Sequence, residues 1–215
     1  MTTPYLLDLD GTLMPTHEVD NRCYWAAVSA VFGLETGTLD LEGFTDVTDT
    51  AILRAWGERR LGRHPTGEET EAVRAQFLAL LERAANEAPD AFRPLPGVRA
   101  WLTGRPPGSA AIATGGWGHT ARFKLSRAGL ADLDLPLASS DDAPTRTGIM
   151  EIGQARLGAA YRSSAPIYVG DGPWDFEAAR DLGWTFVGIG EGGRAKRLRA
   201  AGARRVVADF LALTP

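Results

Sequence analysis

Five short apolar runs constrain this chain more than any other feature: residues 5–9, 110–114, 135–139, 166–170 and 185–189. Each is nearly continuous in apolar character instead of alternating, the pattern of a strand buried on both faces of a parallel sheet. Helical patterns separate them. Val98, Trp101 and Leu102 precede the second run, and Ala121, Leu125 and Ala128 follow it. Ile149, Ile152, Ala155 and Leu157 come next, then residues 178–182 and 195–201. Strands alternating with helices in this way predict an α/β fold, a doubly wound parallel sheet of the Rossmann-like kind.

One stretch breaks the alternation. From about Met14 to Pro94 no run reads as a strand, and three helical stripes take its place. Trp25, Val28, Val31 and Phe32 form the first, closed by Gly33. Ile52, Leu53 and Trp56 form the second. Val73, Phe77, Leu80, Leu81 and Ala84 form the third, behind a Thr66…Glu69 capping box. The expectation is a core of residues 1–14 and 95–215 carrying an inserted helical cap of residues 15–94, joined at Pro15 and at Pro94-Leu95-Pro96-Gly97.

A chain of 215 residues with 44% apolar side chains can bury a sizeable core. Its formal net charge of −4 offers no basic surface to nucleic acid or anionic membranes. The first ten residues lack a basic segment followed by a long apolar stretch, and no apolar run nears the roughly 20 residues of a spanning helix. Cys23 stands alone, so neither an internal disulfide nor a zinc cluster is available. A soluble, cytoplasmic protein is the expectation; oligomeric state is left open.

Ligands of an open parallel sheet bind beyond the carboxyl ends of its strands. The residues there are chemically consistent. The first run leads into Asp8-Leu9-Asp10-Gly11-Thr12, the second into Thr114-Gly115-Gly116, the third toward Asp141, Asp142 and Arg146, and the fourth into Gly170-Asp171 followed by Asp175. Asp8, Asp10, Asp171 and Asp175 thus converge on one crevice with a hydroxyl and a cation. Carboxylates this close repel one another unless protonated or bridged, and an all-oxygen set suits Mg²⁺.

Asp8-Leu9-Asp10-Gly11-Thr12-Leu13 resembles the first motif of haloacid dehalogenase-type phosphatases. Thr114 stands where their second motif has Ser or Thr, and Gly170-Asp171 with Asp175 is similar to their acidic fourth motif. The resemblance runs from Tyr5 to about Phe210, and the insert resembles the cap of the phosphoglycolate phosphatase-like subgroup. It implies a phosphatase acting on a small phosphorylated metabolite, with Asp8 as nucleophile and Asp10 as general acid and base. Mg²⁺ would be held by Asp8, the main-chain carbonyl of Asp10, Asp171 and Asp175. Thr114 and the N–H groups of Gly11 and Gly115 would hold the phosphoryl oxygens. Gly43-Phe44-Thr45-Asp46 resembles a cap loop turned toward the site, which makes Thr45 and Asp46 candidates for substrate binding.

Two positions depart from the family pattern. Gly115 follows Thr114 where asparagine is common, and the lysine of the third motif is missing, with Arg146 nearest its place. Position favours Arg146 over Lys124, which lies several residues into a helix running away from the active edge. A helix rises about 1.5 Å per residue, so the backbone of Lys124 starts on the order of 10 Å below that edge. Other readings weigh less. Asp10 argues against a dehalogenase, which needs no acid there. A phosphomutase of the same superfamily and a catalytically inactive phosphate-binding relative remain as alternatives. Gly188-Ile189-Gly190-Glu191-Gly192-Gly193 matches a dinucleotide fingerprint but lies too near the C-terminus for it, and reads as a helix entry. His17, His64 and His119 have no metal-ligand spacing.

Overall fold

The computed structural model describes residues 3–35 and 46–213. Six parallel strands form one sheet: β1 (Tyr5–Leu7), β2 (Ala110–Ala113), β3 (Leu137–Ala138), β4 (Ile167–Gly170), β5 (Thr185–Ile189) and β6 (Val206–Val207). Their spatial order is β3-β2-β1-β4-β5-β6. The first strand therefore lies in the middle, with Leu7 paired to Ile112 on one side and Val169 on the other. The chain winds away from β1 in both directions, which opens a crevice at its carboxyl end.

Why these runs form central strands follows from the two faces of β1. Tyr5 and Leu7 join an apolar cluster with Trp101, Ile112, Leu125 and Val169. Leu6, pointing the other way as strand geometry requires, joins Ala111, Ala113, Ile149, Tyr168 and Phe186. Helices cover both faces: α4 (Val98–Thr103) and α5 (Gly118–Arg127) lie with the first cluster. Helices α6 (Arg146–Arg156), α7 (Pro173–Asp181) and α8 (Gly192–Ala201) lie with the second.

Between β1 and α4 come three longer helices, α1 (His17–Phe32), α2 (Asp49–Leu61) and α3 (Gly67–Glu87). They bury a separate apolar cluster built on Val28, Leu53, Trp56, Val73, Phe77 and Leu81. Helix α1 ends at Gly33, whose φ of 64° a side chain would oppose. Helix α3 begins with the reciprocal cap, Glu69 N donating to Thr66 Oγ1 at 3.1 Å and Thr66 N to Glu69 Oε2 at 2.7 Å. Among the described residues no helix is long and apolar enough to cross a membrane.

One aromatic ring belongs to both layers. Trp117 follows β2 in the chain, yet it is fully buried within the helical cluster. Its ring lies 5.7 Å from Tyr24 and 6.2 Å from Phe77, with the Arg74 guanidinium 5.2 Å away over its face. Its indole N–H donates to Thr50 Oγ1 at 3.0 Å and its backbone N–H to Asp49 Oδ2 at 2.8 Å. Two further bonds stitch the same seam: Thr48 Oγ1 donates to the Pro144 carbonyl at 2.8 Å, and Thr50 Oγ1 to that of Ser140 at 3.1 Å. Truncating a buried tryptophan costs about 3–5 kcal/mol. Trp117→Ala should lose stability on that scale in chemical unfolding, and a change under about 1 kcal/mol would show that the ring is not an anchor.

Candidate active site

The carboxyl ends of β1, β2 and β4 deliver Asp8, Thr114 and Asp171 to one place. Asp8 is buried, its backbone N–H donating to the Val169 carbonyl at 2.9 Å. Its Oδ1 receives Arg146 Nη1 at 3.1 Å and its Oδ2 receives Thr12 Oγ1 at 3.2 Å. Carboxylate oxygens of Asp8, Asp171 and Asp175 lie within 4.8 Å of one another. Asp175 Oδ2 accepts the N–H groups of Asp171 at 3.1 Å and Gly172 at 3.0 Å, so this side chain also shapes the loop that carries Asp171. Thr114 Oγ1 accepts the Gly116 N–H at 3.2 Å, leaving its own hydrogen to give.

Asp10 is held at both oxygens. Thr16 Oγ1 donates to Oδ1 at 2.5 Å and Lys124 Nζ to Oδ2 at 2.5 Å. Lys124 is completely buried, and its second partner is Asp20 of α1, Nζ to Oδ1 at 2.6 Å. Position in the sequence favours Arg146, yet a second cation reaches the carboxylates from further along α5, on Lys124. Its side chain leans back toward the helix N-terminus, and α1 supplies Asp20 beside it. Arg146 and Lys124 are not alternatives: one meets Asp8, the other Asp10.

Two further expectations change. The Gly11 N–H, expected at the phosphoryl oxygens, is spent on the Met14 carbonyl at 2.7 Å. Gly11 matters instead for space, since a Cβ there would run into the Asp171 carboxylate, and its φ of 82° also favours glycine. At Gly115 a Cβ would lie 2.6 Å from the Val47 carbonyl oxygen and 2.9 Å from Arg146 Nη2, which itself donates to that carbonyl at 3.1 Å. A side chain at this position and the arginine could not coexist in this arrangement. Thr45 lies outside the described residues. The cavity wall passes through Val47, Thr48 and Asp49 and does not include Asp46.

Sequence reasoning missed Asp20, Asn21 and Asp49 at the cavity, and Arg194 beside it. Arg194 Nε lies 3.3 Å from Asp171 Oδ2 and Nη1 donates to the Gly11 carbonyl at 3.3 Å. The glycine-rich turn after β5 is what returns it: Gly190, at φ 154°, packs directly against the Arg194 side chain. His17 stacks on Trp174 at 6.3 Å. Burial, then Arg194, lowers its proton affinity and keeps the imidazole neutral. The cavity measures about 80 Å³.

Among the described residues, six carboxylates (Asp8, Asp10, Asp20, Asp49, Asp171, Asp175) face three cations (Lys124, Arg146, Arg194). The imbalance shows in proton affinity. Burial first, then Asp175, pushes the Asp8 carboxyl well above the usual range. Burial and Asp175 push Asp171 up to about 7, and burial and Asp10 push Asp20 up to about 6, against the pull of Lys124. A cluster of oxygen donors with excess negative charge fits a hard divalent cation.

No family model matches the chain. No curated protein matches it either. Solved structures do. A hydrolase from Pseudomonas syringae aligns over 98% of this chain and 95% of its own, with a TM-score of 0.72 and 22% identity. The fold is that of the haloacid dehalogenase-like hydrolases. A haloacid dehalogenase-like family hydrolase from Streptococcus pneumoniae aligns over 97% of this chain and 95% of its own, at TM-score 0.64 and 18% identity. CbbY from Rhodobacter sphaeroides, in complex with xylulose-1,5-bisphosphate, aligns over 99% and 96%, at 0.66 and 18%. The haloacid dehalogenase-like fold thus includes the helical insert as well as the sheet, because the alignments span nearly whole chains.

The raised carboxyls make stability depend on pH. Asp20 and Asp171 ionise near 3.8 when unfolded and at about 6 and 7 when folded. The native state therefore binds these protons more tightly. Their contribution is fully present below about pH 4 and is lost as pH rises through 6 to 7. With a chelator present, Tm should fall by several degrees between pH 5 and pH 8, at about 2–4 °C per kcal/mol for a chain of this size. Mg²⁺ should recover it at pH 8 by binding the native state. A Tm that rises over this interval without metal would contradict the raised proton affinities of Asp20 and Asp171.

Proposed function

We propose that this protein is a Mg²⁺-dependent phosphatase that hydrolyses a small phosphorylated metabolite through an aspartyl-phosphate on Asp8. One observation carries the reading: the carboxylates of Asp8, Asp171 and Asp175 share a buried crevice, while Asp10, two residues on, is held separately by Thr16 and Lys124. That separation gives two carboxylates two environments and hence two roles.

An oxygen of Asp8 attacks phosphorus and the bond to the ester oxygen breaks, with Asp10 supplying the proton that oxygen needs. Asp10, now ionised, takes a proton from the water that attacks the aspartyl-phosphate and frees inorganic phosphate. Arg146, beside Asp8, and the Thr114 hydroxyl face the charge developing on the transferring phosphoryl group. Asp8, Asp171 and the Asp10 main-chain carbonyl would hold Mg²⁺, with Asp175 behind them. When bound, the ion screens the anionic nucleophile from the anionic phosphate. Residues 15–94 act as the cap that keeps bulk water out. The solved structures of like fold support the reading through their descriptions as hydrolases.

Release of phosphate from acetyl phosphate, with Mg²⁺ or with a chelator, tests this directly. Activity should require the metal. Asp8→Asn should abolish turnover in a folded protein, and Asp10→Asn should cost about a hundred- to ten-thousand-fold. Near-parental activity in folded Asp8→Asn would refute the mechanism.

The cations offer a separate check. Arg146→Ala should lower kcat/KM by about a hundred- to thousand-fold, as expected for a donor aimed at developing charge. Lys124→Met should also destabilise the fold, by about 1–3 kcal/mol, because it leaves the part-buried carboxylates of Asp10 and Asp20 without their shared cation. An Arg146→Ala enzyme with unchanged kcat/KM would remove the guanidinium from the reaction.

A further inference from the structure

The far wall of the cavity, beyond the phosphoryl site, is furnished by α1 and the start of α2. Asp49 is 8% exposed and lines the cavity. It stands next to a notch left by Gly116. A Cβ built there would meet Thr114 Oγ1 at 3.5 Å, Asp49 Oδ2 at 3.7 Å and Asp10 Oδ2 at 3.9 Å. The space a methyl group would fill is thus bounded by three oxygens, one of them on the proposed general acid.

The rest of that wall adds acceptors and neutral groups. Tyr24 gives its hydrogen to the Asp49 carbonyl at 2.8 Å, which leaves its oxygen to accept. Asn21 can donate through its amide, and Trp25 and Ile52 are apolar in bulk. The cations near this end are already paired. Lys124 is enclosed by Asp10 and Asp20. Arg146 is committed to Asp8 and the Val47 carbonyl, and the His17 imidazole is kept neutral by burial and Arg194. Residues 36–45 contain no Lys, Arg or His in sequence and bring none.

We infer that Asp49 is a specificity-determining residue. It receives a hydrogen-bond donor, hydroxyl or ammonium, on the leaving alcohol, so that the substrates are small hydroxylated or aminated phosphomonoesters lacking a carboxylate. This rests on the phosphatase reading and narrows it. A substrate carboxylate at this wall would be buried against the oxygens of Asp49 and Tyr24, with the ammonium of Lys124 already shared by Asp10 and Asp20. A hydroxyl or ammonium there finds acceptors already in place.

The test uses the full chain with Mg²⁺ and esters matched in size: glycerol 1-phosphate against 3-phosphoglycerate, and phosphoethanolamine against phosphoglycolate. Acetyl phosphate serves as reference, having no hydroxyl, amine or carboxylate on its acyl group. Esters that are not turned over are measured as competitors of acetyl phosphate hydrolysis. The carboxylate-free member of each pair should be favoured by about tenfold or more in kcat/KM, or in inhibition constant, the scale of a buried unpaired charge. Which carboxylate-free ester leads separates the hydroxyl from the ammonium. Asp49→Asn keeps an oxygen for the Trp117 N–H and should narrow both ratios to within about threefold, a change that a purely structural anchor would not produce. Gly116→Ala fills the notch at ordinary contact distances and should penalise glycerol 1-phosphate more than acetyl phosphate. Preference for the carboxylated esters, or ratios unmoved by Asp49→Asn, would overturn the inference and leave the phosphatase standing. Failure to hydrolyse either acetyl phosphate or any of the esters would instead defeat the functional reading itself.

Discussion

Six carboxylates drawn into one crevice repel one another, and the architecture around them is largely a set of answers to that repulsion. Some answers are cations brought from a distance in sequence: Lys124 from α5, Arg146 from α6 and Arg194 from α8. Others are dipoles, as where two backbone N–H groups close on Asp175. What remains uncompensated appears as retained protons, with Asp171 and Asp20 pushed up toward neutrality. A hard divalent cation would be an answer of the same kind, relieving the repulsion where oxygens of Asp8, Asp171 and Asp175 meet.

The strand ends were legible because their signal is local. Asp8, Thr114 and Asp171 each follow an apolar run within one or two residues, so finding the strands places the side chains. Arg146 followed from the same logic, as the first residue of the helix after β3. The helical insert was legible from periodicity and from the caps at Gly33 and Thr66.

Asp20, Asp49, Lys124 and Arg194 lie in helices, where their charges have an ordinary explanation already. Asp20 and Asp49 sit in the first turns of α1 and α2, the position the helix dipole favours for acids. Lys124, a candidate for the missing lysine's role, reads equally as one of two cations in the last turn of α5. Which way each faces is decided by how the helices pack on the sheet, and no local pattern carries that. The glycine-rich turn after β5 shows the same limit in reverse. It was conspicuous, but its work is steric, making room for Arg194, and the motif it imitates would have sent it to a different ligand.

The close approach of Gly115, Val47 and Arg146 carries an evolutionary consequence. Glycine and arginine, at the two positions where the resembled motifs carry asparagine and lysine, touch one another. The broad guanidinium reaches Asp8 and the Val47 carbonyl only because nothing projects from residue 115. A side chain introduced at 115 alone would collide with the Val47 carbonyl and with Arg146 Nη2. Homologous chains should therefore carry the pair together, small residue with arginine or larger residue with lysine. The mixed combinations should be rare even where the surrounding sequence has drifted freely.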